Sequence, residues 1–468
     1  MEVFSQILQF VSDQLWGYPM IVLLVGTHIY LTVILKFPQR KIFKAIRLSI
    51  TNDDNGKGDV SQFGALATAL AATIGTGNIV GMGTAIALGG PGAVLWCWLT
   101  GVFGIATKYG EGLLAVKYRK KSENGYMIGG PMYALEHGLN ARWAGILFAL
   151  FTALAAFGIG STVQANAITT LADEVFGVDT WISAVIVAIA VGLVLIGGIK
   201  SIAKVCTALV PFMAVLYVIG CCAILCINHE YLWSAIQLIV VSAFDPAAVG
   251  GGVVGGGVMI AARYGIARGL FSNESGLGSA PLVAAAAKTK NPVRQALVSA
   301  SGTFWDTVVI CAITGLVVVS SVLSISEKEV LDYSSLAASF SENLSVALPN
   351  MNGGTLTKFA FCKIPYIGTP ILTFGLFTFA FSTILGWSIY AQRAVEYLGG
   401  IRAVKVYTYF FLASVLIGGV MELGVVWTFA DIFNALMAIP NLVSLIFLSK
   451  VLVKETDKYL WKNRLDEE

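Results

Sequence analysis

The strongest constraint on this chain is a succession of apolar runs, each about as long as a bilayer is thick. Eleven are legible, near residues 16–35, 62–87, 93–116, 143–172, 180–198, 205–227, 231–267, 294–321, 366–391, 405–421 and 425–449. A helix needs about 20 apolar residues to cross a hydrocarbon core of about 30 Å. Inside that core only helices and closed barrels can satisfy every backbone N–H and C=O. The runs therefore predict an all-α integral membrane protein with about 11 transmembrane helices. Composition agrees, since only 12% of residues are charged where soluble domains carry about 25%. A disordered chain, a secreted disulfide scaffold, a coiled coil and a nucleic-acid binder are excluded on the same grounds. The seven cysteines show no CxxC spacing and sit mostly in apolar runs, as small reduced side chains do. Three scattered histidines make no metal centre. No Ser-His-Asp order or Walker loop occurs, so the chain reads as a non-enzyme without an organic cofactor.

Basic residues orient the spans. With the amino terminus outside, 27 of the 30 Lys and Arg residues fall in cytoplasmic loops, cytoplasmic helix ends or the tail. Lys328, Lys358 and Lys363 fall outside. This is the bias of the positive-inside rule. The expected organisation has residues 1–58 as an outer amino terminus, a peripheral helix and a cytoplasmic loop. Residues 59–228 and 229–450 form two five-helix halves, the second carrying an extracellular connection at 322–365, and 451–468 is a cytoplasmic tail. The connection holds Glu327, Glu329, Asp332 and Glu342 and has room for a short amphipathic helix over a mouth. The first run lacks the flanks of a signal peptide and is expected to stay as a span of the plasma membrane.

Two runs look interrupted. The second reads Ala71-Ala72-Thr73-Ile74-Gly75-Thr76-Gly77-Asn78-Ile79-Val80-Gly81, with glycines and an asparagine near its centre. Gly77 and Gly81 are spaced as a helix-packing pair. Gly75-x-Gly77 superficially matches a dinucleotide loop, but no strand precedes it. The third reading is a deliberate break that frees main-chain groups for a polar solute and an ion. The seventh run holds Phe244-Asp245-Pro246, then Gly250-Gly251-Gly252 and Gly255-Gly256-Gly257, a second candidate break. Breaks five spans apart suit two inverted halves around a transporter's midplane site.

Further motifs carry a resemblance. Thr76-Gly77-Asn78-Ile79-Val80-Gly81 is followed by Gly89-Gly90-Pro91-Gly92-Ala93, Ala106-Thr107-Lys108-Tyr109-Gly110-Glu111 and Gly129-Gly130-Pro131-Met132-Tyr133. Then come Arg268-Gly269-Leu270-Phe271-Ser272-Asn273-Glu274-Ser275-Gly276, Phe304-Trp305-Asp306-Thr307 and Phe381-Ser382-Thr383-Ile384-Leu385-Gly386-Trp387. Over about residues 15–450 the chain resembles the alanine/glycine:cation symporter family. The resemblance implies sodium-coupled uptake of alanine or glycine by alternating access, on a leucine-transporter-type core of five plus five helices. It implies that the amides of Gly75, Thr76 and Gly77 meet the substrate carboxylate. The Asn78 side-chain oxygen and the Thr73 carbonyl would face one sodium ion. The carbonyls of Ala71, Ile74 and Phe379, with the hydroxyls of Ser382 and Thr383, would face a second. Oxygen ligands suit a hard cation.

Other polar residues remain open at this level. Gln164 and Asn166, midway along the fourth run, either bridge helices or touch the bound amino acid. Phe244, Gly250, Gly251 and Gly252 are expected to line the substrate, in the gap left by the glycine cluster of the seventh run. Asp306, midway along its span, is a cation ligand, a proton carrier or the partner of a base such as Arg263. Asp245 either reaches the site or caps a helix near the outer surface. Lys108 and Glu111 read as an interfacial pair, and Ser272-Asn273-Glu274 as a cytoplasmic loop and part of an inner gate. The rival functions are proton-coupled symport or exchange on the same fold and, from another class, an ion channel.

Overall fold

The computed structural model describes residues 2–51, 53, 56–245, 257–325, 333–347, 353–421 and 424–467. An amphipathic helix α1 (Glu2–Leu15) precedes α2 (Tyr18–Ile34). The sequence reading begins its first element at residue 16 and misses α1. The next run is broken as anticipated. Ser61 caps α3 (Gln62–Thr73), its hydroxyl accepting from Gly64 N at 2.9 Å. The helix stops at Ile74, whose backbone is extended. A π-type turn over Gly77–Gly81 leads into α4 (Met82–Gly89), which is bent 50° from α3.

Helix α5 (Gly92–Lys117) has 26 residues, about 39 Å of helix. Two helices joined by a π turn follow, α6 (Arg142–Ala155) and α7 (Val163–Phe176), then α8 (Thr180–Ile196) and α9 (Gly198–Ile227). Helix α10 (Leu232–Ser242) is short, and α11 (Gly257–Asn273) resumes after the undescribed residues 246–256. A second pair joined by a π turn is α12 (Pro292–Thr303) and α13 (Ala312–Leu323). The long connection folds as α14 (Tyr333–Ala347) and α15 (Gly353–Phe361). Helix α16 (Gly368–Gly418) joins the ninth and tenth runs and turns at Gly400 (φ 70°), so it is two helices meeting at a kink. Then come α17 (Gly424–Phe447) and α18 (Ser449–Thr456). Among the described residues six helices are long and apolar enough to cross a membrane, or seven counting the bent pair. Outward-facing Ile186, Leu193, Ile196, Phe212 and Val215 are exposed, an apolar belt suited to lipid.

The packing of α11 corrects the sequence reading. Its Gly265 lies against Ala93 and its Gly269 against Cys97 and Thr100, so it runs alongside α5 in the same direction. Against the first broken helix it runs the opposite way: Tyr264 meets Gly89, Arg268 meets Gly81 and Phe271 meets Gly77. Helix α11 thus ends level with the first break. The chain then leaves helical geometry at Glu274 (φ 54°), Gly276 (φ 93°) and Gly278 (φ 83°) before a short helix at Pro281–Ala284. The second interruption therefore spans Glu274–Ala280, about twenty residues beyond the glycine cluster. Gly250, Gly251 and Gly252 lie outside the described residues, and Gly257 opens α11.

Ser272, Asn273 and Glu274, read as a cytoplasmic loop, are buried at the level of the first break. Arg263, counted among the cytoplasmic residues, lies 3.7 Å from Asp13 in the last turn of α1, just before α2. In the orientation expected from the sequence it joins the three outer lysines.

Candidate functional site

The first break brings together oxygens from two helices. The Ala71 carbonyl, two residues before α3 ends, accepts from Ser382 Oγ (3.3 Å) and Thr383 Oγ1 (3.1 Å) of α16. The same hydroxyls donate to the Phe379 carbonyl at 2.9 and 3.0 Å. All four oxygens belong to buried residues. The last carbonyls of a helix have no intrahelical donor and carry the negative end of its dipole. Neutral oxygens held there beside hydroxyls of a second helix are a donor set of the kind that suits a small hard cation. Ile74 is the cap of α3 and Thr73 is buried beside it. Gly75 must lack a side chain, because a Cβ would lie 2.8 Å from Thr383 Oγ1.

Asn78 is fully buried and turned into the break. Its Oδ1 accepts from Gly75 N at 2.9 Å, satisfying an amide that the interruption leaves without a helical partner. Its Nδ2 donates to Asp306 Oδ1 at 2.8 Å and to the Asp306 carbonyl at 3.2 Å. The Asn78 oxygen and the Gly75 amide, expected to face sodium and substrate, bond each other in this structure. Asp306 sits in the π turn between α12 and α13, and its Oδ2 accepts from Ser272 Oγ (2.9 Å) and Thr307 Oγ1 (2.7 Å). Arg263 is not its partner; it pairs with Asp13 at the end of the molecule.

Of the remaining residues, Thr76 reaches Gln164, hydroxyl to Oε1 at 3.5 Å, and Gln164 Nε2 donates to Ile159 O at 3.1 Å. Gln164 thus belongs to the break. Asn166 does not: its amide donates to the carbonyls of Gly418 (3.3 Å) and Met421 (2.9 Å), bridging α7 to the end of α16. Gly77 faces the Phe271 ring and the Ser272 backbone. Phe244 lies away from the break, its ring 5.8 Å from that of Trp96 near the start of α5, while Trp96 donates to Ala243 O at 3.0 Å. Asp245 follows Phe244 at that end.

Sequence reasoning missed the second interruption and its supports. Glu111 is a buried acceptor for the non-helical segment, not an interfacial residue. Its Oε1 accepts from Gly276 N (2.9 Å), Gly278 N (3.1 Å) and Asn441 Nδ2 (2.7 Å). Lys108 is buried one turn earlier on α5. The signal was present in the sequence, since a Lys and a Glu inside a glycine-rich apolar run require partners. Also missed is Thr357 of α15, whose buried hydroxyl donates to Ile79 O at 2.9 Å and lays the long connection against the first break.

Comparison with known proteins adds the following. The model of the sodium:alanine symporter family matches residues 1–468. An uncharacterized transporter of Haemophilus influenzae is 48% identical over 466 residues, covering 99% of this chain and 97% of its own length. The sodium/alanine symporter AgcS of Methanococcus maripaludis is 45% identical, with 97% of each chain covered. The putative sodium/proton-dependent alanine carrier protein YrbD of Bacillus subtilis is 32% identical, covering 93% and 88%. Among solved structures, MhsT in complex with L-phenylalanine matches with a TM-score of 0.51 at 14% identity, covering 86% of this chain and 98% of that one, a likeness of fold.

Proposed function

Because the chain belongs to the sodium:alanine symporter family, we propose that its sodium-coupled amino-acid symport imports alanine or glycine by alternating access. The observation that carries the sodium reading is the nest formed by Ala71 O, Phe379 O, Ser382 Oγ and Thr383 Oγ1. Its oxygens can replace a hydration shell without any change of protein charge. The Thr73 and Ile74 carbonyls adjoin it on the α3 side. The substrate lies between the two interruptions, with Thr76, Gly77 and Gln164 on one side and Phe271 and Ser272 on the other. The close approach of Phe271 to Gly77 supports a small side chain. The two halves are inverted, each starting with an interrupted helix, in a cell membrane with the amino terminus outside.

Proton coupling is the second reading, favoured by one observation: the buried carboxylate of Asp306 bonds both interrupted helices. Alanine uptake into proteoliposomes separates the two. Under sodium coupling, uptake needs a sodium gradient and survives at reduced sodium affinity in Asp306→Asn. Under proton coupling, uptake in sodium-free buffer follows an imposed pH gradient and Asp306→Asn abolishes that response.

A further inference from the structure

The segment that feeds the first interrupted helix is paired with the segment that leaves the second. Asp59 N and Val60 N donate to Ala286 O at 2.8 and 3.2 Å. In return Lys288 N donates to Val60 O at 2.8 Å and Thr289 N to Lys57 O at 3.2 Å. One side chain spans the seam. Arg119, two residues beyond α5, donates through Nη1 to Ala285 O (3.1 Å) and Ala287 O (2.9 Å), and through Nη2 to Lys57 O (2.9 Å). Asp59 is tied in turn to the neighbouring turn, its Oδ2 accepting from Met127 N at 2.7 Å. Burial pulls the guanidinium pKa down from its ordinary value, and the Asp59 carboxylate acts the other way.

Between this seam and the first break the passage is closed. A cavity of about 20 Å³ lies there, bounded by Ala65, Ala69, Thr73, Lys108, Asn273 and Ala284. That is room for about one water molecule and no amino acid. A route from this end to the break between α3 and Pro281–Ala284 must part residues 57–60 from 285–289. Such a seam suits a reversible opening, because its main-chain groups exchange partners for water when they separate.

We propose that Arg119 is the positioning residue of an inner gate: its guanidinium holds residues 57–60 against 285–289, and their parting opens the site on that side. The need for an opening rests on the alternating-access reading; its location rests on the hydrogen bonds. Removing the guanidinium deprives only the closed state of its three charge-assisted bonds, so the population moves toward the open state.

The test is side-specific labelling of the full-length protein in proteoliposomes, with an impermeant maleimide and Ala69→Cys as the reporter. The exposed Cys222, Cys226 and Cys362 are replaced by Ser. Arg119→Ala is expected to raise the labelling rate on the order of tenfold or more from the seam side alone, a population shift of about 1.4 kcal/mol. Arg119→Lys, which offers a point charge without the planar fork, should fall between. It serves as the readout should Arg119→Ala fail to fold. The half-saturating sodium concentration should rise with the labelling rate, since fewer molecules hold the closed site. An unchanged rate, or an equal rise from both faces, overturns the proposal. Labelling requires no transport, so failure of sodium-driven alanine uptake in the unsubstituted protein would sink the symport reading separately.

Discussion

Thr383→Val tests the proposed cation nest most directly, because it removes one oxygen and leaves the branched shape. Thr383 is buried, and its hydroxyl donates to Ala71 O at 3.1 Å and Phe379 O at 3.0 Å. The folding penalty should be small. Ser382 Oγ still reaches both carbonyls, at 3.3 and 2.9 Å, so neither is orphaned, and the loss is about 1 kcal/mol. The penalty on ion binding should be larger. A sodium ion in this nest loses one of its few ligands and cannot recover it from a methyl group, at a cost of about 1–3 kcal/mol. At tenfold per 1.4 kcal/mol this weakens sodium binding about 5- to 150-fold. The assay is alanine uptake into proteoliposomes as a function of external sodium, with thermal unfolding in detergent as the folding control. The half-saturating sodium concentration should rise into that range, while uptake at very high sodium recovers. Thr383→Ser keeps the oxygen and should stay near the parent. A well-folded Thr383→Val with unchanged sodium dependence would refute the assignment.

Two other substitutions probe the breaks. Asn78→Ala removes the acceptor for Gly75 N and the donor to Asp306. Sodium and alanine affinities, each titrated at fixed concentrations of the other, should fall together, because binding linkage is reciprocal. Loss of alanine binding alone would confine Asn78 to the substrate. Glu111→Ala strands the N–H groups of Gly276 and Gly278 and leaves Asn441 Nδ2 with the Gly276 carbonyl alone. At about 1–3 kcal/mol for each buried donor, the thermal unfolding temperature should drop sharply. Glu111→Gln keeps an acceptor and should drop it less; equal losses would mean that charge, not acceptance, is what the segment needs.

The sequence discloses the helical class because apolar length is a direct statement about the solvent. The first break is legible for a related reason: Gly75, Gly77 and Asn78 interrupt an otherwise unbroken apolar run. The interruption at Glu274–Ala280 is not legible from glycine content, which is only half of the signal. Glycine makes a non-helical backbone cheap, but a buried interruption also needs acceptors and donors for the freed amides and carbonyls. Those acceptors sit far away in sequence, at Glu111, 165 residues before Gly276. No local window joins them. Gln164 and Asn166 show the same limit. They lie two residues apart on one helix, and only their packing sends one to Thr76 and the other to Gly418.

The arrangement around Asp306 has a mechanical consequence that neither break has alone. Asn78 follows the first interruption and Ser272 precedes the second, and they bond opposite oxygens of the same carboxylate, at 2.8 and 2.9 Å. If the two helices move apart, Asp306 cannot follow both, because its own backbone is held in the π turn between α12 and α13. At least one of these buried hydrogen bonds must break, at a cost of about 1–3 kcal/mol. Coupling free energies between ligand sites typically run at about 1–3 kcal/mol. A single shared carboxylate therefore carries enough energy to make the position of one interrupted helix depend on the other. An ion that steadies α3 against α16 would then be felt at α11 through Asn78 and Asp306, with no direct contact between the ion and α11.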